Sequence, residues 1–327
     1  MKKVIVLAFV LFSVTGICIG QAMNEKVNIE WKRGEDIPLP RGGYFAAWQN
    51  GGLWLAGGSY WKDGKKLWTD EASFYDPRTG KWSVEKPIPK AFGYGVTAAI
   101  GKDVYLLGGI DGDGHPSRDI YRLRHGGWSK VGESPASFAF PAYASVGKKV
   151  YVFGGSSSAS DVTTASKNVW IYDTKSNKWE SGPAIPGEPR QIFSAAAVGK
   201  DIFVFGGITQ RAGEQPSNLD DAYRFSTETN TWKKIRKMPI AMRAFWAGSD
   251  GRSVYLLGGY SNAGLDSVYR YSPAKDEYEL VSRLPQPLMD TKFIFAKDTF
   301  YGASGEDKLA SRFEGIVIGR VRYDRKQ

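Results

Sequence analysis

Val152-Phe153-Gly154-Gly155 is a short apolar run closed by two glycines. A second apolar stretch follows at Ile171-Tyr172-Asp173, then Trp179, then Pro186. The same order recurs on both sides of it. Leu55-Ala56-Gly57-Gly58, Leu106-Leu107-Gly108-Gly109, Val204-Phe205-Gly206-Gly207 and Leu256-Leu257-Gly258-Gly259 repeat the glycine pair, with first glycines 51, 46, 52 and 52 residues apart. Each pair leads to a Tyr-bearing stretch, as in Phe74-Tyr75-Asp76, Ile120-Tyr121, Tyr223-Arg224-Phe225 and Tyr269-Arg270-Tyr271. Trp82, Trp128 and Trp232 come next, with Tyr278 in the fifth copy, and Pro89, Pro135, Pro239 and Pro285 close the units. Short strands at an even spacing, rich in Gly and aromatics, predict radially repeated antiparallel sheets.

The pattern resembles the kelch repeat. That resemblance, carried from about Trp31 to Gly319, implies an all-β, six-bladed kelch β-propeller with four strands per blade. Gly at the end of each second strand permits positive φ and close packing, and Tyr and Trp fill the wedges between blades. The sixth copy is degenerate. Phe293–Ala296 and Thr299–Tyr301 read as its first two strands, Ser304-Gly305 replaces the glycine pair, and Ile316-Val317-Ile318 reads as the third strand. The missing fourth strand is found upstream at Val27–Trp31, before Ile37-Pro38. The last blade is therefore expected to be closed by the N-terminal strand, which removes the edges of an open ring. The domain boundaries expected are a signal peptide over 1–20, one propeller over 27–319 and a C-terminal tail over 320–327.

Composition narrows the function. The chain has 327 residues, 44 Lys+Arg against 34 Asp+Glu, a net charge of +10, and only two His and one Cys. His115 and His125 alone cannot supply a zinc or iron centre of three or four N/S ligands, and the copper centre of the kelch-type galactose oxidase lacks its ligands here. No cofactor or metal is expected. Asp111-Gly112-Asp113-Gly114 opens like a calcium loop but lacks the later Glu, and reads as a turn. Lys2-Lys3, the apolar run Val4–Val14 and the small residues near Gly20 form a secretory signal pattern. The run is too short to span a bilayer. Export to the periplasm or outside is expected, with lipid tethering through Cys18 as the lesser alternative. The scattered positive charge forms no basic tract, so nucleic acid is not an expected partner.

Long loops after each glycine pair emerge on the same face as the loops joining consecutive blades, and variable loops on a repeating frame are where function concentrates. On that face Arg41, Arg190 and Arg243 stand at nearly equivalent repeat positions, where blades two and three hold Phe92 and Phe138. Their guanidiniums are candidates to clamp a carboxylate; structural hydrogen bonding within the repeat is the competing reading. Trp61, Trp68, Tyr94, Trp246 and Tyr260 are candidates to stack on sugar rings, or simply to pack between blades. Gly305-Glu306, with Arg312 six residues on, is similar to a segment of bacterial kelch propellers of the N-acetylneuraminate epimerase (sialic acid mutarotase) type, without the Pro they carry between the two residues. The resemblance implies Glu306 as the acid–base group and Arg312 as its companion in anomer interconversion. The expected partner is then an acidic sugar or anionic glycan, with Lys292 among the binding residues. A non-catalytic glycan- or protein-binding scaffold is the alternative. A lyase or hydrolase is a third reading, needing a second group such as Asp290 or Lys292.

Overall fold

The computed structural model describes residues 26–308 and 310–324. The expected signal peptide and Cys18 lie outside these residues. Apart from one short 3-10 turn at Val162–Thr164, the described residues form strands, turns and loops.

Each repeat folds into a four-stranded antiparallel sheet whose strands follow one another in order. In blade one these are Phe45–Gln49, Gly52–Ala56, Ala72–Asp76 and Lys81–Glu85. The first strands of the other blades, at Val96–Ile100, Ala142–Val146, Ser194–Val198, Trp246–Ser249 and Phe293–Ala296, stand side by side around a central channel. Second strands are buried on both faces because each sheet is sandwiched between neighbours. Leu53 and Leu55 pack toward blade six, while Trp54 and Ala56 pack toward blade two. Period-2 alternation thus divides one apolar run between two cores. Six apolar clusters result, one at each blade interface.

The ring closes as the sequence predicts. Lys26–Arg33 pairs antiparallel with Ile316–Asp324, from Lys26 opposite Asp324 to Arg33 opposite Val317. This corrects the expected C-terminal tail: residues 320–324 continue the third strand of blade six. Val321 is the physical reason, being buried with Val27 and Ile29 against Tyr255 of blade five. Trp82, Trp179 and Trp232 each donate an indole hydrogen bond to a backbone carbonyl of the preceding blade (Glu35, Glu133 and Pro183), and the Tyr278 hydroxyl donates to Arg236 O in the same way. In blade six Trp31 donates to Ser282 Oγ at 3.0 Å, and its ring lies where a Cβ on Gly319 would stand.

The glycine pairs work through their conformation. Gly258 has φ +64°, and a Cβ there would meet Leu288 O at 2.2 Å, whereas Gly51 has φ +83° with open space around it. Gly51→Ala is expected to cost only the left-handed penalty of about 1–2 kcal/mol. Gly258→Ala adds a backbone clash and should cost clearly more, measured as the difference in urea midpoints.

Candidate active site at the channel mouth

The loops that join consecutive blades meet at one end of the channel. At the same point of each, Gly43, Tyr94, Phe140, Ile192, Ala244 and Asp290 adopt left-handed φ between 52° and 64°. Five of the six are not glycine, and one is β-branched. Such conformations cost energy and persist only where the surroundings impose them. What imposes them is a hydrogen-bonded ring. Tyr94 N donates to Gly43 O, Phe140 N to Tyr94 O, Ile192 N to Phe140 O, Ala244 N to Ile192 O and Asp290 N to Ala244 O, at 2.6–3.1 Å. The sixth link differs: Gly43 N donates to the side-chain Oδ2 of Asp290 at 2.6 Å. A carboxylate closes the ring.

Inside the ring is an open-mouthed funnel lined by Tyr94, Phe140, Tyr143, Phe193, Trp246 and Asp290, among others. Its floor is a plug. The buried Lys292 donates Nζ to the Tyr143 hydroxyl at 2.9 Å and lies over the rings of Tyr143 and Trp246. Burial, reinforced by the charge of Glu306, raises the Asp290 pKa to about 6, against the opposing pull of Arg312 and Lys292. Lys66 lies over the Tyr94 and Trp68 rings at 4.9 and 5.5 Å. Burial and the nearby Arg312 lower its pKa. Burial likewise pushes the Tyr94 hydroxyl, 3.2 Å from Ser59 Oγ, well up.

Glu306 occupies a regular repeat position, directly after the second glycine. It pairs with Met289 as Ser59 pairs with Gly42 and Tyr260 with Arg243. Ser304 and Gly305 keep the left-handed conformations of the lost glycine pair, so the degenerate copy is intact in shape. Glu306 accepts a hydrogen bond from Arg312 Nη1. The rest of that guanidinium is engaged too, Nε with Ser59 O at 3.2 Å and Nη2 with Ser59 Oγ at 3.3 Å. Arg312 is therefore a buried partner of Glu306, with each of its three nitrogens already holding a protein acceptor. Its guanidinium and the Asp290 carboxylate both lie near Gly42, at 2.9 and 3.1 Å from where a Cβ would stand. The structure thus brings together Glu306, Arg312, Tyr94, Trp68, Lys292 and Trp246.

The three repeat-position arginines do not converge, which corrects that expectation. Arg190 is fully buried and bidentate to Asp221 at 2.7 and 2.8 Å. Arg41 is also fully buried and donates to Leu39 O and Glu71 O. It has no bonded carboxylate, Nη2 has no partner, and burial lowers its pKa to about 10. Arg243 is one residue out of register. Arg41, Phe92, Phe138, Arg190, Met242 and Leu288 share the inward position two residues before the left-handed turn, as their carbonyls show by accepting from the second glycine of the preceding blade. Arg243 takes the next position, half-buried over the Tyr260 ring and donating to Asn218 Oδ1 at 2.8 Å. Trp61 stands outside the funnel on an exposed hairpin. Reading the sequence from the glycine pair missed Lys66 and Tyr143. It also left Asp290 as a minor candidate, although Asp290 is the one charged residue at the left-handed ring position.

Asp111, Asp113 and His115 bring ligand atoms within 4.8 Å of one another. Asp111 Oδ1 there accepts the backbone amides of Asp113 and His115, which is the turn the sequence predicts.

A six-blade ring with this repeat has relatives. The profile of the KLHDC2/KLHL20/DRC7 Kelch-repeats domain matches residues 43–236 and 95–301. The chain belongs to the kelch-repeat family. Kelch-like protein 25 of Xenopus tropicalis is 31% identical over 127 residues, 38% of this chain and 20% of that protein. N-acetylneuraminate epimerase of Vibrio vulnificus is 34% identical over 109 residues, 32% of this chain and 28% of that protein. Kelch-like protein terF of Aspergillus terreus is 33% identical over 143 residues, 39% of this chain and 30% of that protein. The kelch match thus covers less than a third of each of these relatives. No helix among the described residues is long and apolar enough to cross a membrane.

Proposed function

We propose that the channel mouth binds an acidic sugar and interconverts its anomers. The observation that carries this reading is the Asp290 carboxyl, which closes the ring in an aromatic-walled funnel with Lys292 in its lining and Lys66 over the Tyr94 wall. Aromatic faces suit sugar rings, and Lys66 and Lys292 suit the sugar's carboxylate. The similarity of part of the chain to an N-acetylneuraminate epimerase agrees with this chemistry. Export is part of the same proposal, resting on Lys2-Lys3 and the apolar run after them.

Anomer exchange opens and recloses a cyclic hemiketal. The Asp290 carboxylate takes the proton from the anomeric hydroxyl; the carbonyl forms as the bond to the ring oxygen breaks. The ring oxygen leaves as a hydroxyl, receiving a proton in turn. Rotation followed by the reverse steps gives the other anomer with no net change of atoms. A group with pKa near 6 can both accept and return the proton near neutrality. Glu306, fixed by Arg312, keeps negative charge beside Asp290 and so sustains its basicity.

Because the ionised carboxylate is the base, exchange should rise with pH through about 6 and then level off. The measurement is NMR anomer exchange on N-acetylneuraminate across pH 5–8. A rate equal to the buffer blank at every pH would remove the catalytic reading. The many kelch-like relatives favour a second reading, a non-catalytic binding scaffold; saturable sugar binding with exchange at the blank rate would select it.

A further inference from the structure

The loop after the first glycine pair forms a hairpin, Ser59–Lys62 paired with Lys65–Trp68, that projects from the rim of the funnel. Its register sets Ser59 opposite Trp68 and Trp61 opposite Lys66. Directly opposed residues share a face, and faces alternate along a strand. Ser59, Trp61, Lys66 and Trp68 therefore lie on one face. Ser59, Lys66 and Trp68 touch Tyr94 of the funnel wall, the last edge-on at 5.6 Å. That face continues the wall outward and ends on Trp61, one of three exposed large hydrophobics among the described residues. On the other face Lys62 and Lys65 are directly opposed, exposed, and in no ion pair. Opposed like charges cost stability.

We infer that this hairpin is a second subsite, contiguous with the funnel, for the next units of an anionic oligosaccharide. The inference rests on the proposed sugar reading and extends it. The reducing-end ring, with its free anomeric centre, occupies the funnel. The chain leaves through a non-anomeric hydroxyl along Trp68, Lys66 and Trp61. Trp61 supplies an apolar ring face, and Lys66, opposite it on the same face, meets a carboxylate.

The test compares N-acetylneuraminate with its linear trimer by calorimetry, using the whole chain and its Trp61→Ala variant. The trimer should bind wild type about three- to tenfold tighter than the monosaccharide, a difference of roughly 0.7–1.4 kcal/mol. Trp61→Ala should remove that difference. Equal affinity for monomer and trimer in wild type overturns the subsite. So does a Trp61→Ala loss of the same size for both, or binding of a glutamate oligopeptide as tight as the trimer. Absence of monosaccharide binding, with Trp61-dependent trimer binding kept, overturns both the funnel reading and contiguity. Absence of exchange with the trimer preference intact overturns the catalysis alone.

Discussion

Asp290→Asn is expected to lower the anomer-exchange rate by about 10²–10⁴-fold while making the protein more stable at neutral pH. Both effects come from one carboxyl. Asn keeps an oxygen to accept the Gly43 amide, so the ring can still close, but it cannot carry a proton. The stability sign follows from linkage. An aspartate carboxyl ordinarily titrates near 3.8, and burial raises Asp290 to about 6 in the folded state. Between these values the folded chain binds more protons than the unfolded one, so stability falls as pH rises through that window. Above it the ionised group subtracts on the order of 2–3 kcal/mol, and Asn removes that penalty. Denaturation of both proteins at pH 4 and pH 8 checks this. The gap between them should open at the higher pH, and a variant less stable at pH 8 would refute the account of the raised pKa.

Asp221→Ala should produce the largest loss of stability among single side-chain truncations at the arginine positions. It leaves the fully buried Arg190 guanidinium without its bidentate partner. Breaking a buried pair this way costs about 3–5 kcal/mol. Although burial opposes it, Arg190 holds the Asp221 carboxyl below its usual range. Arg41 offers the contrast. It sits at the same repeat position, with Nη2 unpartnered and carbonyls as its only acceptors, while blade five uses Met242 there. Arg41→Met should be neutral to within about 1 kcal/mol, or stabilising, because it removes an uncompensated buried charge. Urea titrations of the two variants separate the cases, and equal losses would show that both arginines are paired alike.

These contrasts mark where the sequence was legible. Glycine pairs, Tyr-bearing strands and Trp recur at spacings near 50, so the blade count and the closure by Val27–Trp31 could be read directly. Even the decayed copy kept its shape, because Ser304 tolerates the left-handed conformation and its Oγ accepts Arg41 N. Arg243 misled for a definite reason. Alignment on glycine pairs cannot register the loop between blades, and one residue decides whether a side chain points into a core or across Tyr260.

By itself, the sequence determined a kelch propeller of six blades, because each blade is a local unit whose alternating apolar residues can be buried only between two neighbours. It also placed Glu306 and Arg312 in the same short segment. Only the tertiary structure decided which groups face the funnel and what each is free to do. Asp290 and Gly43 are 247 residues apart and Arg312 and Ser59 are 253, and they meet only when blade six docks on blade one. Burial and charge at that junction make Asp290 a titrating group near neutrality. The same junction gives every nitrogen of the Arg312 guanidinium a protein acceptor. Such shifts depend on desolvation and neighbouring charges, which exist only in the closed ring.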